Sequence, residues 1–288
     1  AMTPTFAGAL EAAELARSVG AKVIIGGVHT AIFPAETLAS HFVDFVALGE
    51  AEESLPDLCG RLARGWTPDG AVIPGIGYRH QDRLVLGEPA LVQDLDALPP
   101  PAFHLLDMAS YNSIIGFTPV TTAITTRGCP YKCSFCFKTV SDKKFRTRSP
   151  VLVVDELAYL ARRFGIRYVM FYDDVLTLSR PHVAAICEEI LRRGLRIRWE
   201  APTRVNVVDR DLLGLMARAG CHRLRFGVES GDERLRRDVL KSIRLVGDRY
   251  DLETELLLAA ARQGYPIVSV PVKTIYRQQP SHIHPLRD

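Results

Sequence analysis

Val120-Thr121-Thr122-Ala123-Ile124-Thr125-Thr126-Arg127-Gly128-Cys129-Pro130-Tyr131-Lys132-Cys133-Ser134-Phe135-Cys136 is a β-branched run that turns directly into a loop carrying three thiols. The run over 120–126 predicts a strand. The C-x-x-x-C-x-x-C spacing packs Cys129, Cys133 and Cys136 into one short loop. Three is one fewer than a closed zinc site or a fully ligated iron–sulfur cube takes from protein. A zinc site would want a fourth ligand nearby, and the nearest histidines, His104 and His182, lie outside the loop. A cube held by three cysteines leaves one iron open to a small molecule. The remaining cysteines read as small apolar residues: Cys187 on a helical stripe with Val183, Ile186 and Ile190, Cys221 opening a strand, and Cys59 in an amphipathic stretch.

Beyond the loop the pattern becomes a β/α repeat. A helix is expected over 155–164 and a strand over 166–172. Next come a helix over 181–193, starting on Pro181 and stopping at Gly194, and a strand over 195–200. A helix over 211–219 with Asp209 as its cap leads to a strand over 221–228. Strand ends recur about every 28 residues, close to the spacing of a (β/α) barrel. The fold class is therefore α/β, with a partial (β/α) barrel whose active groups belong at the strands' C-terminal ends. Asp173 and Asp174 end one strand, and adjacent carboxylates there repel unless they bind something; Asp174 also suits a turn cap. Arg204 follows the next strand and suits a bidentate carboxylate. Glu229 and Ser230 follow the last, where a charge straight after an apolar strand is poorly explained by packing.

Toward the N-terminus, a helix over 9–19 leads to a strand over 21–25, the Gly26-Gly27 turn, and a strand over 42–46. Residues 60–119 are rich in turns, with Pro99-Pro100-Pro101 favouring an extended strap.

The cysteine loop, with Phe135 before its last cysteine, resembles the signature of radical S-adenosylmethionine (SAM) enzymes. The resemblance implies a 4Fe-4S cluster whose open iron chelates SAM, and reductive cleavage of SAM to a 5′-deoxyadenosyl radical that attacks a small-molecule substrate, with methyl transfer as one outcome. It implies SAM or substrate contacts for Asp173, Asp174, Arg204, Glu229 and Ser230. Residues 1–60 resemble the later part of the Rossmann-like cobalamin-binding domain that precedes many such cores. Gly26, Gly27 and His29 would then face the nucleotide tail of cobalamin. Ala51 stands where that family usually has glycine, and its cobalt-ligating D-x-H-x-x-G motif is not in this sequence; Gly26-Gly27 equally suits a plain turn. The expected division is a cobalamin-binding-like segment 1–60, a strap 61–119, a radical SAM partial barrel 120–241 and a tail 242–288. Glu253-Thr254-Glu255-Leu256, Val270-Pro271-Val272 and Ser281–Asp288 make that tail resemble family-two glycosyltransferases of the dolichol-phosphate mannose synthase type. A switch near 241–249 in a chain truncated at both ends is therefore expected. The alternatives to a radical SAM enzyme are a glycosyltransferase remnant or an inactive chimeric iron–sulfur protein.

The 288 residues are 47% hydrophobic and 24% charged, an ordinary globular composition. A net charge of +3 argues for neither nucleic acid nor membrane partners, and no apolar run reaches the length of a membrane span. Three of the six cysteines sit in a ligand loop, which points to a reducing, cytoplasmic setting rather than a disulfide framework. Lys138, Lys143, Lys144, Arg146 and Arg148 form either a solvated face or a docking patch for an acidic electron donor such as flavodoxin or ferredoxin.

Overall fold

The computed structural model describes residues 2–111, 119–131, 133, 136 and 144–227. Phe135, Glu229, Ser230 and the stretch 242–288 lie outside the described residues.

The N-terminal part is a four-stranded sheet covered on both faces. Helix α1 (Phe6–Ser18) precedes β1 (Ile24–Ile25). Two short helices, α2 (Val28–Ile32) and α3 (Pro34–Ala39), lead to β2 (Phe45–Ala47). Helix α4 (Ser54–Ala63) precedes β3 (Ile76–His80) and β4 (Arg83–Leu86). The order is β1-β2-β3-β4, with β1 and β2 parallel and the rest antiparallel. Alternation along β2 sends Val46 into a core with Ala13 and Leu38, and Phe45 into a second core with Leu58, Ile76 and Tyr78. The β3–β4 hairpin lies inside the stretch expected to be only a strap. Its turn is Gln81-Asp82, both at positive φ (47° and 62°), a geometry that usually advertises itself as Asn-Gly.

The second sheet is parallel throughout. Its strands β5 (Val120–Ala123), β8 (Tyr168–Phe171), β9 (Arg198–Thr203) and β10 (Cys221–Phe226) lie side by side in that order. Helices α5 (Pro150–Phe164), α6 (Arg180–Arg192) and α7 (Arg210–Arg218) connect them. Helices α6 and α7 start within a residue of expectation: Ser179 accepts from the His182 N–H, and Asp209 accepts from the Leu212 N–H at 2.9 Å, whereas α5 starts at Pro150, ahead of the expected 155. Val154, Leu157, Val183, Ile186, Leu212 and Met216 from these helices meet Val169, Phe171, Trp199 and Ala201 from the strands. Trp199 is 1% exposed and its indole N–H donates to the Ala219 carbonyl at 2.9 Å, so its one polar atom is satisfied.

Cys187 is fully buried in this core, and burial pushes its thiol up to about 12. Cys221 is half-buried and pushed up to about 12 by the same cause. Cys59 departs from expectation: it is exposed, one position off the stripe that buries Leu58. Strand β9 runs to Thr203 rather than stopping at Glu200, which places Arg204 immediately after the strand. Among the described residues no helix is long and apolar enough to cross a membrane.

Candidate functional site

Strands β6 (Thr126–Arg127) and β7 (Arg146–Thr147) form a short antiparallel ribbon that carries the chain into and out of the cysteine segment. Gly128 follows at φ 84°, a conformation that strains any side-chain-bearing residue, and so turns the chain into the loop. Cys129 is 5% exposed, Cys133 is half-buried and Cys136 is exposed. The Cys136 N–H donates to the Cys133 carbonyl at 3.1 Å, which keeps the last two thiols on one tight turn.

Asp173, just past β8, is 3% exposed. Its Oδ1 accepts from the backbone N–H and the hydroxyl of both Thr125 and Thr126, at 2.5 to 3.1 Å. The Thr125 hydroxyl also meets His182 Nε2 at 3.1 Å. One carboxylate oxygen therefore fixes the two residues at the mouth of the cysteine loop, so Oδ1 is engaged with the protein's own chain. Burial raises its carboxyl above the ordinary range, although the hydrogen bonds from Thr126 and Thr125 oppose this. Its Oδ2 is buried without a hydrogen-bond partner in the structure. Asp174, beside it, is exposed.

Arg204 is brought to the loop. Its Nη1 donates to Cys133 Sγ at 3.6 Å, its guanidinium lies 4.2 Å from the Tyr131 ring centroid, and its Nε donates to Asn206 Oδ1 at 3.3 Å. On the sheet face away from the helices, buried Glu200 accepts from the Tyr168 hydroxyl at 2.7 Å and lies 3.6 Å from both Arg223 and Arg225. Burial, reinforced by Glu200, raises the Tyr168 phenol well above its usual value.

Gly26 and Gly27 follow the end of β1. A Cβ on Gly26 would meet the Ala47 Cβ at 3.1 Å, and Gly27 caps α2 at φ 102°. His29 is buried, stacked on Phe6 at 3.9 Å, with Nδ1 against the Thr3 hydroxyl and Nε2 without a hydrogen-bond partner in the structure.

The thiols share one loop, but among the described residues no three His, Cys, Asp or Glu side chains converge on a metal-sized site. The donor set nonetheless fits a cube taking three thiolates, and the Arg204 guanidinium lies against the middle one. A cleft of about 220 Å³ is lined by Leu98, Pro101, Phe103, Thr122, Arg127 and Arg148, among others, and by none of the cysteines. Sequence reasoning missed Thr125, Thr126, His182 and Glu200. A threonine pair directly before the loop was the only local signal.

Residues 123–276 match the family model of the Radical SAM superfamily. The chain is 32% identical over 249 residues to an uncharacterized methyltransferase of Pyrococcus horikoshii, covering 84% of this chain and 53% of that protein. It is 29% identical over 238 residues to the anaerobic magnesium-protoporphyrin IX monomethyl ester cyclase of Rubrivivax gelatinosus, covering 80% and 43%. The radical SAM methyltransferase TsrM of Kitasatospora setae, solved with cobalamin and a [4Fe-4S] cluster, superposes with a TM-score of 0.63 at 21% identity, covering 89% of this chain and 51% of that one. The chain thus spans about half the length of the relatives it matches. The family match continues to residue 276, through the switch expected near 241–249, so the resemblance of 242–288 to glycosyltransferases gains no support. On its cysteine loop, its parallel β/α sheet and a match over more than half its length, the chain belongs to the radical SAM superfamily.

Proposed function

We propose that this chain is the cluster-bearing part of a radical SAM enzyme that transfers a methyl group to, or rearranges, a small-molecule substrate. The observation that carries the reading is the three-cysteine loop at the C-terminal edge of a parallel sheet, with Arg204 against Cys133. Cys129, Cys133 and Cys136 would hold a 4Fe-4S cluster through their thiolates. When bound, the cluster supplies the electron that cleaves SAM to a 5′-deoxyadenosyl radical. The fork of Arg204 would hold the SAM carboxylate, its plane kept by Tyr131. Asp174, Glu229 and Ser230 would complete the SAM and substrate contacts, and Phe135 would pack beside the cluster.

The division at 1–60, 61–119 and 120–241 is part of the same reading, with 242–288 assigned to the radical module because the family match enters it. Cobalamin at Gly26, Gly27 and His29 is supported by the buried, unpartnered His29 Nε2 and by the cobalamin in the TsrM structure. A reducing, cytoplasmic setting suits the thiolates. An acidic flavodoxin or ferredoxin would deliver the electron to the basic stretch that includes Lys144 and Arg148.

Incubation of the anaerobically loaded chain with SAM and dithionite tests the reading. Formation of 5′-deoxyadenosine or S-adenosylhomocysteine, abolished in Cys133→Ala, is expected. A loaded cluster that yields neither product means an iron–sulfur protein without this activity.

A further inference from the structure

The Gly49-Glu50-Ala51-Glu52 turn after β2 has no part in the reading above, yet its carboxylates reach the ribbon that frames the cysteine segment. Glu50 Oε1 accepts from Arg146 Nη2 at 2.7 Å and Oε2 from Arg146 Nη1 at 2.8 Å, a bidentate fork. Glu50 Oε2 also accepts from the Val92 N–H at 2.8 Å and lies 3.5 Å from Arg127 Nη1. Glu52 Oε1 accepts from Arg127 Nη2 at 2.6 Å. The turn itself is pinned: the Glu50 N–H donates to the Ala90 carbonyl at 2.9 Å, and the Ala90 N–H to the Leu48 carbonyl at 2.9 Å.

Arg127 and Arg146 are direct cross-strand partners in the β6–β7 ribbon. Like charges so placed push strands apart, and a ribbon of two residues per strand has little else to hold it. Two glutamates from the turn after β2 convert that repulsion into a cross-link. Burial opposes ionisation of Glu50, but the hydrogen bonds from Arg146 and Val92 and the two cationic neighbours outweigh it and hold the carboxyl below its usual range.

We infer that Glu50 is a positioning residue for the cysteine loop: by neutralising Arg127 and Arg146 together, it lets the N-terminal sheet lock the two ends of the loop side by side. Glu52 assists through Arg127 alone. The inference rests on the cysteine loop being the cluster site, and it gives the N-terminal segment a task at that site which requires no cobalamin.

The test uses the full chain and Glu50→Gln, which keeps the volume and an acceptor for Val92 but removes the charge. Hydrogen exchange is read without the cluster, in peptides covering 119–131 and 144–149. Exchange about tenfold faster than in the parent is expected there, with α6 unchanged. Adding Arg146→Gln to Glu50→Gln removes the repulsion and should restore part of the protection, a rescue that a simple packing role would not give. Glu52→Gln, at a more exposed pair, should show a smaller rise and stands in if Glu50→Gln does not fold. Asp57→Asn, which breaks only the surface pair with Arg61 on α4, should match the parent. After anaerobic loading, Glu50→Gln should carry the parent's iron content but need about tenfold more SAM to perturb the spectrum of the reduced cluster, because misplacement is felt steeply at a reacting centre. Parental exchange in Glu50→Gln, or no rescue in the double variant, overturns the inference. A parent chain that takes up no cluster refutes the proposed function, while the exchange measurements still decide the role of Glu50.

Discussion

Replacing Asp173 by alanine separates two jobs that its position allows. In the structure its Oδ1 is the acceptor for four donors on Thr125 and Thr126. The two hydroxyls can rotate toward other acceptors, and the Thr125 hydroxyl already meets His182. The two backbone N–H groups cannot move without opening the mouth of the loop. Each buried donor left without an acceptor costs about 1–3 kcal/mol. Release of a buried carboxylate offsets part of this, so Asp173→Ala should lose about 3 kcal/mol, a large share of the 5–15 kcal/mol typical of a domain. Asp173→Asn keeps the accepting oxygen and should lose less than about 1.5 kcal/mol, the difference between charged and neutral hydrogen bonds. Urea denaturation of both variants, with iron content after anaerobic loading, is the assay. This role for Asp173 is refuted if Asp173→Ala lies within about 0.5 kcal/mol of the parent, the ordinary scatter of a surface substitution. It is equally refuted if Asp173→Asn keeps parental stability and iron but loses SAM binding, which would assign the carboxylate to the ligand.

Three other variants probe the surroundings. Arg204→Lys gives up the fork and the flat stack on Tyr131, so at unchanged iron content SAM binding, followed by titrating the reduced cluster's spectrum, should weaken about 10- to 100-fold. Burial holds the His182 imidazole below its usual value, against a weak upward pull from Asp96. The folded state therefore binds fewer protons than the unfolded one, and stability is present above the unfolded value of about 6.5 and lost as pH falls below it toward the folded value. His182→Gln should flatten that acid slope, as read by urea midpoints between pH 5 and 8. Gly49 sits at φ 83° with its would-be Cβ 2.3 Å from the Ala90 carbonyl oxygen, so Gly49→Ala should cost at least about 2 kcal/mol in thermal or urea unfolding.

The legible parts were those written in neighbouring residues. The cysteine spacing announces itself within eight positions, Pro181 and Gly194 bracket α6, and Asp209 caps α7. The parallel order followed from strands alternating with helices. The missed parts depend on partners distant in the chain. In the sequence Asp173 reads as a rim carboxylate, because its acceptor role involves threonines 47 and 48 residues upstream. The Glu50–Arg146 fork spans 96 residues, and nothing local marks either end. The β3–β4 hairpin was hidden by a Gln81-Asp82 turn whose left-handed backbone is imposed by strand pairing rather than by its own residue types.

Iron and sulfide analysis of the anaerobically loaded chain, alongside single Cys129→Ala, Cys133→Ala and Cys136→Ala variants, reads whether these three thiols hold a cluster. About four irons and four sulfides per parent chain are expected, with an electron paramagnetic resonance signal on reduction that shifts when SAM is added, and loss of the cluster in each variant. A parent chain that takes up a single zinc ion, or a cluster that survives loss of any one of these cysteines, would contradict that assignment.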